Sequence, residues 1–274
     1  MATFRIRLTT VFTTSALLFS VLSGCAGGGM DSPAEMDIGR SVEERLAESF
    51  PRAHLAHLPT PLEEMETVSA RLGGPRILVK RDDQTGLATG GNKARKLEFI
   101  LADAKVKGAE VIITWGSLQS NWCRQTAAGA AALGMRAVLL LSRRDDSPVV
   151  VDGNHLLDEI LGAEVHVLDA GTSQERVAEE FAGRERAAGN IPYVVSVGGS
   201  RTGGSMEEPL GAMGYITAFL ETHRQALGMG PEPDYLIFPT GSGGTQAGLV
   251  VGAAVAGSKT KIVGISVSGS AEGI

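Results

Sequence analysis

Seven short apolar runs, spaced by stretches of helical periodicity, limit what this chain can fold into more than any other feature. The runs are Ile77–Lys80, Val111–Trp115, Ala137–Leu141, Glu164–Leu168, Tyr193–Val197, Tyr235–Phe238 and Ile262–Val267. Helical patterning covers about 94–107, 120–133, 152–161, 173–188, 207–227 and 244–256. Strands alternating with helices imply βαβ units, and hence an α/β fold of parallel sheets with helices on both faces. Ahead of them, 41–49 reads as a short helix and 58–72 as a turn leading into an amphipathic helix. The 274 residues suffice for one large or two modest domains, and 36 glycines supply the tight turns such a fold needs.

In sheets of this kind ligands bind beyond the carboxyl ends of the strands, where a loop enters the next helix. Three such loops carry candidate chemistry. The first, D-Q-T-G-L-A-T-G-G-N-K at 83–93, places Lys93 at a helix start with its amine aimed into a crevice. A lysine near a positive helix end in a partly dry cleft loses its proton more readily, and a neutral amine attacks aldehydes. Lys96, one turn on, either disfavours charge on Lys93 or is solvated. The second loop, G-S-L-Q-S-N-W-C-R at 116–124, offers the Ser120 hydroxyl, the Asn121 amide and stacking by Trp122; taken alone, Ser120-Asn121 is a helix cap. The third, P-T-G-S-G-G-T at 239–245, is either a phosphate cradle at a helix N-terminus or a tight connection between strand and helix. It has neither the GK[ST] of a P-loop nor the GxGxxG of a dinucleotide fold.

Several function classes are set aside by the same sequence. A net charge of -6 gives no electrostatic case for nucleic acid. Two cysteines, Cys25 and Cys123, make neither a disulfide framework nor a metal cluster, and the five histidines lack ligand spacing. No His-Asp pair accompanies Ser120, so a hydrolase triad has little support.

Residues 1–29 contain no acidic residue and run from Arg5 and Arg7 through A-L-L-F-S-V-L to L-S-G-C, the layout of a secretory signal peptide. Leu22–Cys25 resembles a bacterial lipobox, which implies export with a lipid anchor at Cys25. The alternatives are a cytoplasmic protein starting at Met30 or Met36, and an organelle transit peptide.

G-G-N-K-A-R-K-L-E, S-L-Q-S-N-W-C-R-Q-T-A-A and T-G-S-G-G-T-Q-A-G, in this order and spacing, resemble the pyridoxal-phosphate lyases related to D-cysteine desulfhydrase and 1-aminocyclopropane-1-carboxylate deaminase. The resemblance covers roughly residues 50–270. It implies a two-domain fold of the tryptophan-synthase-β-like type, fold type II among pyridoxal-phosphate enzymes. On it, 30–95 and 206–274 form a large domain and 96–205 a small one. It also implies a homodimer, pyridoxal 5'-phosphate as cofactor and a small amino acid as substrate.

By resemblance, Lys93 is the lysine that forms a Schiff base with the cofactor, and Lys96 is a second lysine near its phosphate. Ser120 contacts substrate, Asn121 bonds the phenolic oxygen, and Thr240, Gly241, Ser242, Gly243, Gly244 and Thr245 form the phosphate loop. The implied reaction is α,β-elimination, with D-cysteine giving sulfide, ammonia and pyruvate. Aminocyclopropane-carboxylate deamination, L-cysteate sulfo-lyase activity and a truncated non-catalytic homologue are the alternatives. Three departures accompany the match. Trp122 stands where relatives usually carry His or Gln. The loop at 198–209 is lengthened. The chain stops at Ile274, before the residues that supply an active-site tyrosine and the partner of the pyridine nitrogen in the family.

Overall fold

The computed structural model describes residues 42–267, which fall within one compact unit. Cys25, the leader-like segment and the alternative starts at Met30 and Met36 lie outside the described residues.

The first elements are α1 (Val42–Ser49), β1 (Leu62–Glu64), α2 (Glu66–Leu72) and β2 (Leu78–Lys80). β1 and β2 pair antiparallel. This corrects two expectations from the sequence, that 58–72 holds only a turn and a helix and that 77–80 joins a parallel sheet. The reason lies in α2, which has no buried residue. A seven-residue helix that buries no residue cannot pack on a sheet as a crossover must, so the chain turns back on itself.

The expected βαβ pattern then follows through α3 (Ala94–Val106), β3 (Val111–Ser117), α4 (Asn121–Ala132), β4 (Arg136–Ser142), α5 (Gly153–Ile160), β5 (Glu164–Leu168), α6 (Gln174–Ala187) and β6 (Pro192–Val194). The four strands form one parallel sheet in the order β5-β4-β3-β6. Val111, Ile113, Val138 and Leu140 pack on Ala178 and Ala182 of α6. Ile112, Leu139 and Leu141 share a second core with Leu97, Phe99, Cys123 and Ala127 of α3 and α4. Burial on both faces accounts for the continuous apolar runs. The strand order reverses beside β3, so the loop after β3 opens at the switch point, where such sheets form a ligand crevice.

Beyond it come α7 (Leu210–Met229), β7 (Tyr235–Thr240), α8 (Gly244–Val255) and β8 (Lys261–Ser266), with β7 and β8 paired in parallel as a separate sheet. Gly214 lets α7 lie directly on α3: a Cβ there would stand 2.2 Å from the Arg95 carbonyl oxygen. This contact joins α7 to the helix that Lys93 begins.

Candidate active site

The three loops meet around one cavity of about 290 Å³, near the lower end of the usual size for small-ligand sites. Its wall consists of Asn92 and Lys93, then Asn121, then Pro239, Thr240, Gly241, Ser242, Gly243 and Thr245, with Val267.

Lys93 occupies the N-cap position of α3 in a helical conformation. The chain before it is sharply bent, with φ of 44° at Ala88, 72° at Thr89, 80° at Gly90 and 129° at Gly91. Positive φ in non-glycine residues costs on the order of 1–3 kcal/mol each and persists only where the surroundings hold it. Here they do. Arg124 Nη2 donates to the Gly90 carbonyl at 2.7 Å, Thr85 Oγ1 to the Gly91 carbonyl at 2.8 Å, and the Tyr215 hydroxyl to the Asn92 carbonyl at 3.1 Å. The Ala94 N–H donates to Gln125 Oε1 at 2.8 Å. Gly90 has no room for a side chain, because a Cβ would lie 2.0 Å from the Asp83 carbonyl oxygen.

The charges that follow in α3 are not a solvated face. Arg95 is 1% exposed and grips two carboxylates: Nε and Nη2 donate to Asp82 at 2.9 and 2.7 Å, while Nη1 and Nη2 each donate to Glu221 at 3.0 Å. Glu98, equally buried, accepts from Arg52 Nε and from the N–H groups of Leu55 and Ala56. Sequence reasoning passed over both. The available signal was that Lys93, Arg95, Lys96 and Glu98 cannot share one solvent face when Leu97, Phe99, Ile100 and Leu101 are interleaved with or follow them.

Burial lowers the pKa of the Lys93 amine below the ordinary lysine value. Lys96 is deeper. Its Nζ donates to the Gly198 carbonyl and to Ser200 Oγ, each at 3.1 Å, and lies 5.9 Å from the Tyr215 ring centroid. Burial first, and the charge of Lys93 second, bring its pKa down to about 7. Of the two possibilities left open by the sequence, solvation of Lys96 is therefore excluded. Each amine disfavours charge on the other, and Lys96 is the more buried of the pair. Ser200 Oγ stands 2.7 Å from Ser242 Oγ, so a polar chain runs from Lys96 into the glycine loop.

Asn121 is exposed and lines the cavity from the start of α4. Ser120 does not line it; its Oγ caps α4 by accepting from the Cys123 N–H at 3.2 Å. Trp122 is also off the wall, which corrects the expected stacking. Its indole is 2% exposed in the core, where Nε1 donates to Thr114 Oγ1 at 2.8 Å. Trp122, the second residue of α4, lies on the face of that helix that joins the core. Cys123 is buried and free, with its thiol pushed up to about 12, mainly by burial, and so is inert.

The glycine loop is differently made. Thr240 is 5% exposed, and its Oγ1 is buried with no hydrogen-bond partner among the described residues. Gly243 precedes α8 at φ 80° and the helix has no side-chain cap, so its first N–H groups point outward unsatisfied by the helix itself. Gly244, the first residue of α8, is buried against Ser200, where a Cβ would come within 2.5 Å of Ser200 Oγ, so only its backbone is available to the cradle. These donors suit a phosphate group, and the amine opposite suits a carbonyl.

Comparison with known proteins bears on both halves. The family described as pyridoxal-phosphate dependent enzyme matches residues 54–272. A D-cysteine desulfhydrase of Klebsiella pneumoniae (strain 342) is 42% identical over 228 residues, covering 81% of this chain and 66% of that protein. A D-cysteine desulfhydrase of Serratia proteamaculans (strain 568) is 40% identical over 231 residues, covering 83% of this chain and 67% of that protein. A crystal structure described as an ACC deaminase homologue superposes with a TM-score of 0.71 at 38% identity, covering 81% of this chain and 65% of that chain. The chain thus spans about two thirds of the length of the curated relatives it matches.

Proposed function

The chain belongs to the pyridoxal-phosphate dependent enzyme family and has its tryptophan-synthase-β-like α/β fold, and we propose that it is a lyase that eliminates a leaving group from the β-carbon of a small amino acid, with D-cysteine as substrate. The observation that carries this is a single juxtaposition. A partly desolvated lysine amine shares a cavity wall with an uncapped glycine-rich helix start and a buried, unpartnered Thr240 hydroxyl.

These residues fit pyridoxal 5'-phosphate. The hydroxyls of Thr240, Ser242 and Thr245 and the first N–H groups of α8 would hold the phosphate, and Lys96 would add positive charge through Ser200. A phosphate there would favour the charged form of Lys96. When bound, this cofactor supplies an electron sink that makes the α-proton of an amino acid acidic.

Lys93 is the amine this reading assigns to the cofactor's aldehyde and to proton transfer. Its lowered pKa keeps more of Nζ uncharged at neutral pH than an ordinary lysine, so Nζ can take the α-proton of a substrate held in the cavity. The turn at 88–92 fixes where Nζ starts from, and Asn121 presents its amide from another part of the wall. Ser120 contributes by capping α4 and so placing Asn121. In net terms, D-cysteine and water would give sulfide, ammonia and pyruvate.

The test is to offer D-cysteine, 1-aminocyclopropane-1-carboxylate and L-cysteate in parallel to the purified chain with pyridoxal phosphate. Sulfide and pyruvate released in equal amounts from D-cysteine, and lost in Lys93→Ala, are expected. Deamination of the cyclopropane substrate alone would move the assignment to that reaction. Turnover of none by a protein that has bound the cofactor would refute the lyase reading.

A further inference from the structure

Among the groups that clasp the turn before Lys93, Arg124 also reaches across to α5. It sits on α4, half-buried, with Nη2 on the Gly90 carbonyl and Nη1 on Asn154 Oδ1, each at 2.7 Å. Asn154, at the start of α5, is itself fixed: its N–H donates to Gln119 Oε1 at 2.8 Å and its Nδ2 to the Gln119 carbonyl at 2.9 Å. Alongside lies a group of buried polar atoms without hydrogen-bond partners among the described residues: Arg124 Nε, both carboxylate oxygens of Asp158 and His155 Nδ1. Asp158 is fully buried; burial pushes its carboxyl up to about 7, and the charge of Arg124 opposes that rise. Thus α5 gives Arg124 one hydrogen-bond acceptor and one buried carboxylate nearby, neither of which touches the cavity.

We propose that Arg124 is a positioning residue, which transmits the support of α5 to the Gly90 carbonyl and so holds the Lys93 amine at the cavity wall. The proposal rests on Lys93 being the reactive amine. The backbone at 88–91 has positive φ throughout, including at Ala88 and Thr89, and relaxes unless its carbonyls are held. Arg124 and Gln125 are the clasps that come from α4, the helix whose first residue, Asn121, forms another part of the wall. One helix therefore sets both the pose of the amine and the amide that shares its cavity. Releasing the Gly90 carbonyl admits water to Lys93. Because burial is what lowers the Lys93 pKa, water must raise it.

The test needs no cofactor. The protonation midpoint of Lys93 is read from the pH dependence of its acylation by acetic anhydride, followed by peptide mass spectrometry, in wild type, Arg124→Ala, Arg124→Lys and Asn154→Ala. Arg124→Ala is expected to raise the midpoint by about one pH unit. Arg124→Lys should recover part of the shift, since an ammonium lacks the planar fork that serves both acceptors, and Asn154→Ala should shift it less in the same direction. With pyridoxal phosphate, Arg124→Ala should lower kcat by about tenfold or more and leave KM within about threefold, as misorientation does. An unchanged midpoint in a folded Arg124→Ala protein, whatever its loss of thermal stability, overturns the proposal. Should that variant not fold, unchanged midpoints in Arg124→Lys and Asn154→Ala overturn it equally. If wild type fails to take up pyridoxal phosphate, the reading of the site falls while the midpoint series still decides the role of Arg124.

Discussion

The two sides of the cavity are built on opposite plans. Around Lys93, the carbonyls of three successive residues are each held by a side chain, and the following helix turn is anchored by a buried arginine between two carboxylates. Around Thr240 to Thr245, a buried hydroxyl has no partner among the described residues, the helix has no side-chain cap, and Ser242 is exposed with its hydroxyl on Ser200. One side is complete without a ligand, as a reactive group that must be aimed requires. The other presents donors whose satisfaction needs an anion or water. A binding site of this kind divides its work: rigidity where chemistry is directed, unfilled hydrogen-bonding capacity where the ligand is recognised.

The largest effect is expected from breaking the complete side. Arg95→Met leaves Asp82 and Glu221 without their central partner, and removing one member of a buried ion network costs about 3–5 kcal/mol. Urea unfolding measures it. A loss below about 1 kcal/mol would mean that the network does not hold α3 in place.

Lys96 links the two sides and gives a pH signature. Its pKa falls from 10.5 to about 7 on folding, so between these values the unfolded chain binds a proton that the folded chain does not. Stability from this group therefore rises with pH across that window, by at most about 1.4 kcal/mol per pH unit. The urea midpoint of wild type should climb from pH 7 to 9 relative to Lys96→Met, and saturating inorganic phosphate should flatten the difference. Parallel pH profiles for the two proteins would remove Lys96 from the description of the site.

The smallest effect should have opposite signs with and without ligand. Thr240→Val removes an unsatisfied buried hydroxyl and is expected to raise stability by about 1 kcal/mol in phosphate-free buffer. The same variant should lose part of the thermal shift that phosphate gives wild type. A Thr240→Val protein that is less stable without phosphate and shifts normally with it would show that the hydroxyl has a partner inside the protein.

Much of the scaffold was legible in the sequence. Helices expected at 94–107, 120–133 and 244–256 are found at Ala94–Val106, Asn121–Ala132 and Gly244–Val255, because apolar periodicity and the glycines and Ser120 beside them mark where each begins and ends. The β1–β2 ribbon was not, since three-residue strands carry no periodicity and pairing direction depends on what α2 can pack against. In the site, the loops and Lys93 could be located from glycines and a lysine at a strand-to-helix junction. The roles of Arg95, Glu98, Arg124 and Tyr215 could not, because each depends on a partner far along the chain: Glu221 at 126 residues from Arg95, Leu55 at 43 from Glu98, Gly90 at 34 from Arg124 and Asn92 at 123 from Tyr215. Trp122 shows the converse: a residue type that suits a ligand was placed by helix phase in the core.

The central claim is that Lys93, rather than another amine, receives the cofactor. The direct measurement is to incubate the purified chain with pyridoxal phosphate, reduce with borohydride, digest, and locate the pyridoxyl group by mass spectrometry. A single modified site at Lys93, absent from Lys93→Ala and weakened by competing inorganic phosphate, is expected. Modification of Lys96, Lys80 or scattered surface lysines with Lys93 left bare would contradict the assignment of the amine and of the site built around it.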